Sequence, residues 1–180
     1  MNNHSNMKRL TVTALLLAMN IIMSMSVFSI PVPGGHMYLN DVIIVTASIL
    51  LEPFYAFTVG GIGAFIGDLL FYPAPMFVSL VTHGLQALVI SLCARKMLRS
   101  RPILASSIGA VFGTIITVIG YTLGRAFIYG TPAYAVIQLP FQILQTAVGS
   151  VIALILCWRL GLVRIFRKFF GDSEKTDKKD

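Results

Sequence analysis

Charge is what this chain has least of. Only 12% of its 180 residues are charged, and seven of those are acidic. A soluble domain carries charge on about a quarter of its residues, so this composition excludes an ordinary soluble globular protein. Cysteine is nearly missing too. Cys93 and Cys157 fall inside or at the end of apolar runs, with no spacing for a metal site or a disulfide framework. Both read as packing residues, and neither a metal nor a cofactor is expected.

Catalytic signatures are also missing: there is no G-x-x-x-x-G-K-[ST] phosphate loop, no G-x-S-x-G, no H-E-x-x-H and no repeated Asp set. The chain is therefore not expected to be an enzyme, and any ATP hydrolysis tied to it must come from partners. An intramembrane enzyme built on His83 and Asp68 alone would lack both a nucleophile with its base and a metal cluster. The net charge of +7 would suit nucleic acid only if the basic residues covered a solvated, aromatic-rich face. They sit at the ends of apolar runs instead, so no nucleic-acid partner is expected.

What fills the chain is hydrocarbon. With 56% hydrophobic residues and a mean hydropathy of +0.82 it reads as an integral membrane protein. Cutting it at Pro, Gly and charge signals leaves six candidate transmembrane helices, roughly Leu10–Ser29, Leu39–Leu51, Phe54–Tyr72, Met76–Ala94, Ile103–Ile128 and Ala133–Trp158. The second is short for a span, so it must be tilted, shielded by other helices, or extended through Glu52–Pro53 into the third. The first follows Lys8–Arg9 as a signal peptide would, but its apolar run is too long and no small-x-small site precedes Pro31. The expected architecture is all-α: a single six-helix membrane domain over residues 1–170, then a disordered cytoplasmic tail over 171–180.

Thirteen of the fourteen basic residues fall on one side of such a bundle: Lys8 and Arg9, Arg95 to Arg101, and Arg159 to Lys179. Cytoplasmic flanks carry that excess, so both termini are expected inside, with Arg125 the exception. The run "RLGLVRIFRKFF" sets Phe166, Phe169 and Phe170 among basic residues, the pattern of a helix end lying on anionic membrane lipid. "PVPGGHMYLND", Pro31 to Asp41, then faces outward between the first two helices. Its prolines fix φ and its glycines are free to take positive φ, which suits a structured, re-entrant outer loop. Asn40 or Asp41 reads as the N-cap of the second helix. His36 has no such plain reading and points to a pocket.

Polar residues inside the spans are few and convergent. Asp68 and Arg125 lie at similar depth, either as an ion pair or as two separate binding groups. Ser79, His83 and Gln86 share one helical face, Tyr121 and Arg125 are one turn apart, and Gln138, Gln142, Gln145 and Gly149 form a stripe that Pro140 can open locally. Each alone reads as interhelical glue. Together beneath the outer loop they read as a binding site made of His36, Asp68, His83, Tyr121, Arg125, Gln138, Gln142 and Gln145. Amides, imidazole and a stacking tyrosine suit a small heteroaromatic ligand with hydroxyls. An Arg125 free of Asp68 would instead favour an acidic ligand.

Small residues mark close helix packing: Gly63 with Gly67 in "GGIGAFIGD", where Gly60, Ala64 and Asp68 also form a stripe, and Gly109 with Gly113 in "GAVFG". "ALLLA" gives Ala14 and Ala18 a flat face, for internal packing or for docking another membrane protein.

These motifs together resemble the substrate-binding S components of energy-coupling factor (ECF) vitamin transporters. "LLEPFYAFTVGGIGAFIGDLL" is similar to that family's LGPxYGAxxGGxGxxxxDLL pattern, with Glu52 where the family often has glycine. Within the family the chain is closest to riboflavin-transporter-type S components, especially those assigned to hydroxymethylpyrimidine or pyridoxine. The resemblance implies a subunit in the cell membrane of a prokaryote that captures a vitamin outside, with His36 in the gating loop. It also implies that Ala14 and Ala18 meet the transmembrane coupling subunit EcfT, which two ATPases, EcfA and EcfA', drive. An S component for riboflavin or pantothenate, or a ligand-free membrane assembly subunit, are the alternatives; the last would not need the convergent polar stripes.

Overall fold

The protein is described by a computed structural model that covers residues 3–25, 29–33, 35–98 and 100–176. Gly34, Arg99 and residues 177–180 of the expected tail lie outside the described residues. Helix α1 (Asn3–Met23) leads to a hairpin of β1 (Ile30–Val32) and β2 (Gly35–Met37). Then follow α2 (Asn40–Leu50), α3 (Pro53–Phe71), α4 (Met76–Lys96), α5 (Pro102–Tyr129), α6 (Pro132–Arg159) and α7 (Leu162–Thr176). Helix dominates because apolar segments in lipid must pair their backbone groups internally. Pro53, Pro102 and Pro132 each open a helix at its first turn, where a missing N–H leaves nothing unpaired.

Four helices, α3 to α6, are long and apolar enough to cross a membrane. With Phe77, Phe127, Ile128 and Val136 each more than 60% exposed on their outer faces, the chain is a multi-pass membrane protein. Helix α1 starts seven residues before the expected Leu10 and stops at Met23, short of Ser29; residues 26–28 lie outside the described ones. Helix α2 has 11 residues, about 16 Å, and nine of them are buried. Of the three options for this short segment, the structure takes shielding: α1, α3, α4 and α6 surround it.

It does not run on into α3. Leu51 and Glu52 are extended, and the carbonyls freed by the break are taken up by α4. Arg95 donates to Leu50 O at 3.0 Å and Leu51 O at 3.2 Å, and Ser91 Oγ donates to Leu51 O at 2.8 Å. Glu52, the departure from the family pattern, pairs with Arg9 at 2.5 Å.

The glycine motifs pack as their spacing suggests. In α3, Gly60 and Gly61 abut α4, where an added Cβ would stand 2.8 Å from His83 O and 2.9 Å from Leu80 O; Gly63 abuts Asn20 of α1 and Gly67 abuts Ser24 just past its end. A π-helical turn, Thr58–Ile62, interrupts α3, and its Val59 carbonyl accepts from Asn20 Nδ2 at 2.7 Å. Gly109 and Gly113 of α5 receive Cys93 and Ile90 of α4. Cys93 and Cys157 are buried free thiols in the core. The expected positive φ in the outer loop is not used at Gly35, which pairs with Val32 in the hairpin; among the described glycines Gly161 alone takes it, at 76°. Helix α7 packs on α1 and α2, with Lys8 Nζ 4.6 Å from the centre of the Phe169 ring.

Candidate ligand-binding site

Under the hairpin the bundle encloses a cavity of about 330 Å³, and all eight residues singled out from the sequence line it. They arrive from five elements: His36 on β2, Asp68 on α3, His83 on α4, Tyr121 and Arg125 on α5, and Gln138, Gln142 and Gln145 on α6. Pro140 sits inside α6 without ending it, so the three glutamines keep one helical register and all are buried.

Two hydrogen-bond networks hold the walls. In the first, Ser79 Oγ donates to Asp68 Oδ2, the Tyr121 hydroxyl donates to Ser79, and the His83 ring lies edge-on to Tyr121 at 5.4 Å. Arg125 rests 5.3 Å from the centre of the same Tyr121 ring and donates through Nη2 to Gln142 Oε1 at 2.8 Å. Asp68 and Arg125 do not pair; the ion pair left open by the sequence is not formed. In the second network Asp41 is the hub. It accepts from Gln86 Nε2 and from Gln145 Nε2, each at 3.0 Å, while Gln86 Oε1 meets His83 Nδ1 at 2.7 Å.

This corrects the N-cap reading. The cap position of α2 is Leu39, and no side chain caps it. Asp41 lies fully buried against Gly149, whose missing side chain lets the helices approach: an added Cβ would stand 2.5 Å from Asp41 Cβ.

The hairpin is tied to α6 at two points. Gln138 Nε2 donates to Pro33 O at 3.2 Å, and Tyr38 N donates to Gln145 Oε1 at 2.9 Å. Both ends of the Gln145 amide are thus taken by protein. His36 Nδ1 and Ser29 Oγ are 3.1 Å apart within the loop.

Several lining atoms have no protein partner although they are buried: Arg125 Nη1, Gln142 Nε2 and Asn40 Oδ1. Buried polar groups are nearly always satisfied, so these two donors and one acceptor are what the cavity has to offer a polar guest. Sequence reasoning missed the aromatic content. Five of the six tyrosines line the cavity, Tyr38, Tyr72, Tyr121, Tyr129 and Tyr134. Burial and the nearby Asp68 carboxylate push the Tyr38 hydroxyl above its ordinary range, so it stays a neutral donor. Gln86, part of the polar face that the helical spacing marks, lies behind His83 and holds its ring.

A larger cavity, about 560 Å³, lies at the opposite end among Arg9, Glu52, Arg95, Trp158 and Arg167. Its Arg9 and Glu52 bind each other and its Arg95 caps backbone, which makes the cavity under the hairpin the better candidate.

Residues 4–161 match a family described as "ECF-type riboflavin transporter, S component". The thiamine precursor transporter HmpT of Lactococcus lactis subsp. cremoris (strain MG1363) is 31% identical over 173 residues, covering 92% of this chain and 97% of that one. A Pyrococcus woesei protein described as "Uncharacterized protein in gap 3'region" is 30% identical over 125 residues, 68% of this chain and 82% of its own.

Proposed function

The chain belongs to the family of ECF-type riboflavin transporter S components, and from that premise we propose that it captures a thiamine precursor, hydroxymethylpyrimidine, in the cavity beneath its hairpin. The likeness to HmpT over nearly the whole of both chains supports this choice of ligand. The observation that carries it is the set of unpaired buried atoms, Arg125 Nη1, Gln142 Nε2 and Asn40 Oδ1, on a tyrosine-lined cavity. Donors and acceptors at fixed positions read the edge of a pyrimidine, and tyrosine faces stack on its ring. About 330 Å³ is at the small end of ligand pockets, which suits one substituted ring better than the three fused rings and sugar-alcohol tail of riboflavin.

In this reading α1 and α2 also lie across the membrane, giving six helices with both termini cytoplasmic in a prokaryotic cell membrane. Ala14 and Ala18 are exposed on α1 while Thr13 and Asn20 on its other face are buried. That exposure supports an EcfT-docking role for the alanine face, with EcfA and EcfA' supplying ATP hydrolysis. A second reading, an acidic vitamin such as pantothenate, is favoured by Arg125 being free of Asp68; the Asp68 carboxylate in the same cavity weighs against it.

Calorimetry on detergent-purified protein with hydroxymethylpyrimidine, pyridoxine, riboflavin and pantothenate tests the choice. Hydroxymethylpyrimidine is expected to bind tightest. Preference for pantothenate would install the second reading, and no binding by any of the four would leave an assembly subunit.

A further inference from the structure

The polarity of His83 is set by residues it does not touch. Tyr38 N–H can only donate, so Gln145 must turn Oε1 to it, at 2.9 Å, and Nε2 to Asp41 Oδ2, at 3.0 Å. The other carboxylate oxygen, Oδ1, accepts from Gln86 Nε2 at 3.0 Å. That leaves Gln86 Oε1 facing His83 Nδ1 at 2.7 Å. An amide oxygen only accepts, so the proton must be on Nδ1. In the neutral imidazole the lone pair is then on Nε2. Among the described residues no group hydrogen-bonds Nε2, and His83 lines the cavity.

We propose that Asp41 is a positioning residue which, through Gln86, fixes His83 as a hydrogen-bond acceptor toward the cavity, so that the ligand is selected for an N–H or O–H donor at that point. On the reading of the cavity as a pyrimidine site, on which the ligand half of this rests, the donor is the exocyclic amino group of the ring. Asp41, Gln86 and His83 are 0%, 0% and 1% exposed. With water excluded, no solvent hydrogen bond can substitute for a member of the relay, and its geometry is correspondingly strict. The buried carboxylate is itself stabilised by two amide donors and by its place in the first turn of α2, where the helix dipole favours negative charge.

Long-range proton–nitrogen correlation spectra of the full-length protein, labelled with ¹⁵N-histidine and held at mildly alkaline pH in detergent, report which ring nitrogen of His83 is protonated. The expected result is Nδ1–H in the wild type, and a shift of population toward Nε2–H in Asp41→Asn and Gln86→Leu. A wild-type proton on Nε2 would overturn the relay.

The ligand half is read by comparing hydroxymethylpyrimidine with the same ring lacking its amino group. The wild type should bind the second about tenfold or more weakly, and His83→Ala should bind the two alike. Equal binding by the wild type would overturn donor selection. Both wild-type measurements stand even if Asp41→Asn fails to fold. An Nδ1 proton with no binding of any vitamin would support the relay and overturn the reading of the cavity as a vitamin site.

Discussion

Arg125 and Gln142 hold each other at 2.8 Å, and each keeps one buried nitrogen unpaired. A guanidinium fixed over Tyr121 aims its free nitrogen in a way that a lysine ammonium cannot reproduce. Arg125→Lys and Gln142→Ala are each expected to weaken ligand binding about ten- to a hundredfold, the range for losing one hydrogen bond in a dry site, with little change in the protein's thermal unfolding. Unchanged affinity in both would move the site elsewhere. These two residues were legible in the sequence because a polar side chain in an apolar run stands out, and helical spacing says which ones share a face. Asp41 was not. Its place at the start of a helix satisfies the local rule for a cap, and what overrides the rule is contact with Gln86 and Gln145, 45 and 104 residues away. Four of the cavity tyrosines stayed hidden for a related reason, since tyrosine near a helix end looks like any residue of an interfacial aromatic belt.

Among the helices, α3 is wedged between α1 and α4 by glycines on opposite faces. Gly60→Ala would bring a methyl to 2.8 Å from a backbone carbonyl and from Ala87 Cβ; the carbonyl sits in a packed helix that cannot yield cheaply. We expect a loss of about 1–3 kcal/mol, seen as a lower thermal unfolding midpoint in detergent. Gly161→Ala meets nothing within 4 Å and carries only the strain of a positive φ, at 76°, so its effect should be about 1 kcal/mol. Equal destabilisation by the two would argue against tight α3–α4 packing. The alanine face of α1 behaves oppositely: Ala14→Leu and Ala18→Leu should leave unfolding and ligand affinity intact and abolish uptake in cells carrying the coupling subunits. Lost affinity in those variants would make the face part of the binding fold. Close glycine packing was readable from sequence, and so was the shortness of α2. The π-helical turns and the Leu51–Glu52 break were not, because backbone irregularity is settled by partners such as Asn20 and Arg95 from distant helices.

At the scale of the molecule, the two native thiols are buried, so introduced cysteines can be read against a quiet background. On the proposed orientation, with both ends cytoplasmic, an impermeant maleimide on whole cells should label His36→Cys and spare Ser100→Cys; the reverse pattern would invert the orientation. The hairpin adds a consequence about time. Its seams to α6 run through Gln138 and Gln145, and Gln145 commits one oxygen lone pair to the Tyr38 N–H and one N–H to Asp41. Loosening that seam therefore changes how often the cover lifts, and through Asp41 it also changes how well the guest is held. In stopped-flow exchange, Gln145→Ala should speed dissociation more than association, shortening residence time and weakening equilibrium binding together.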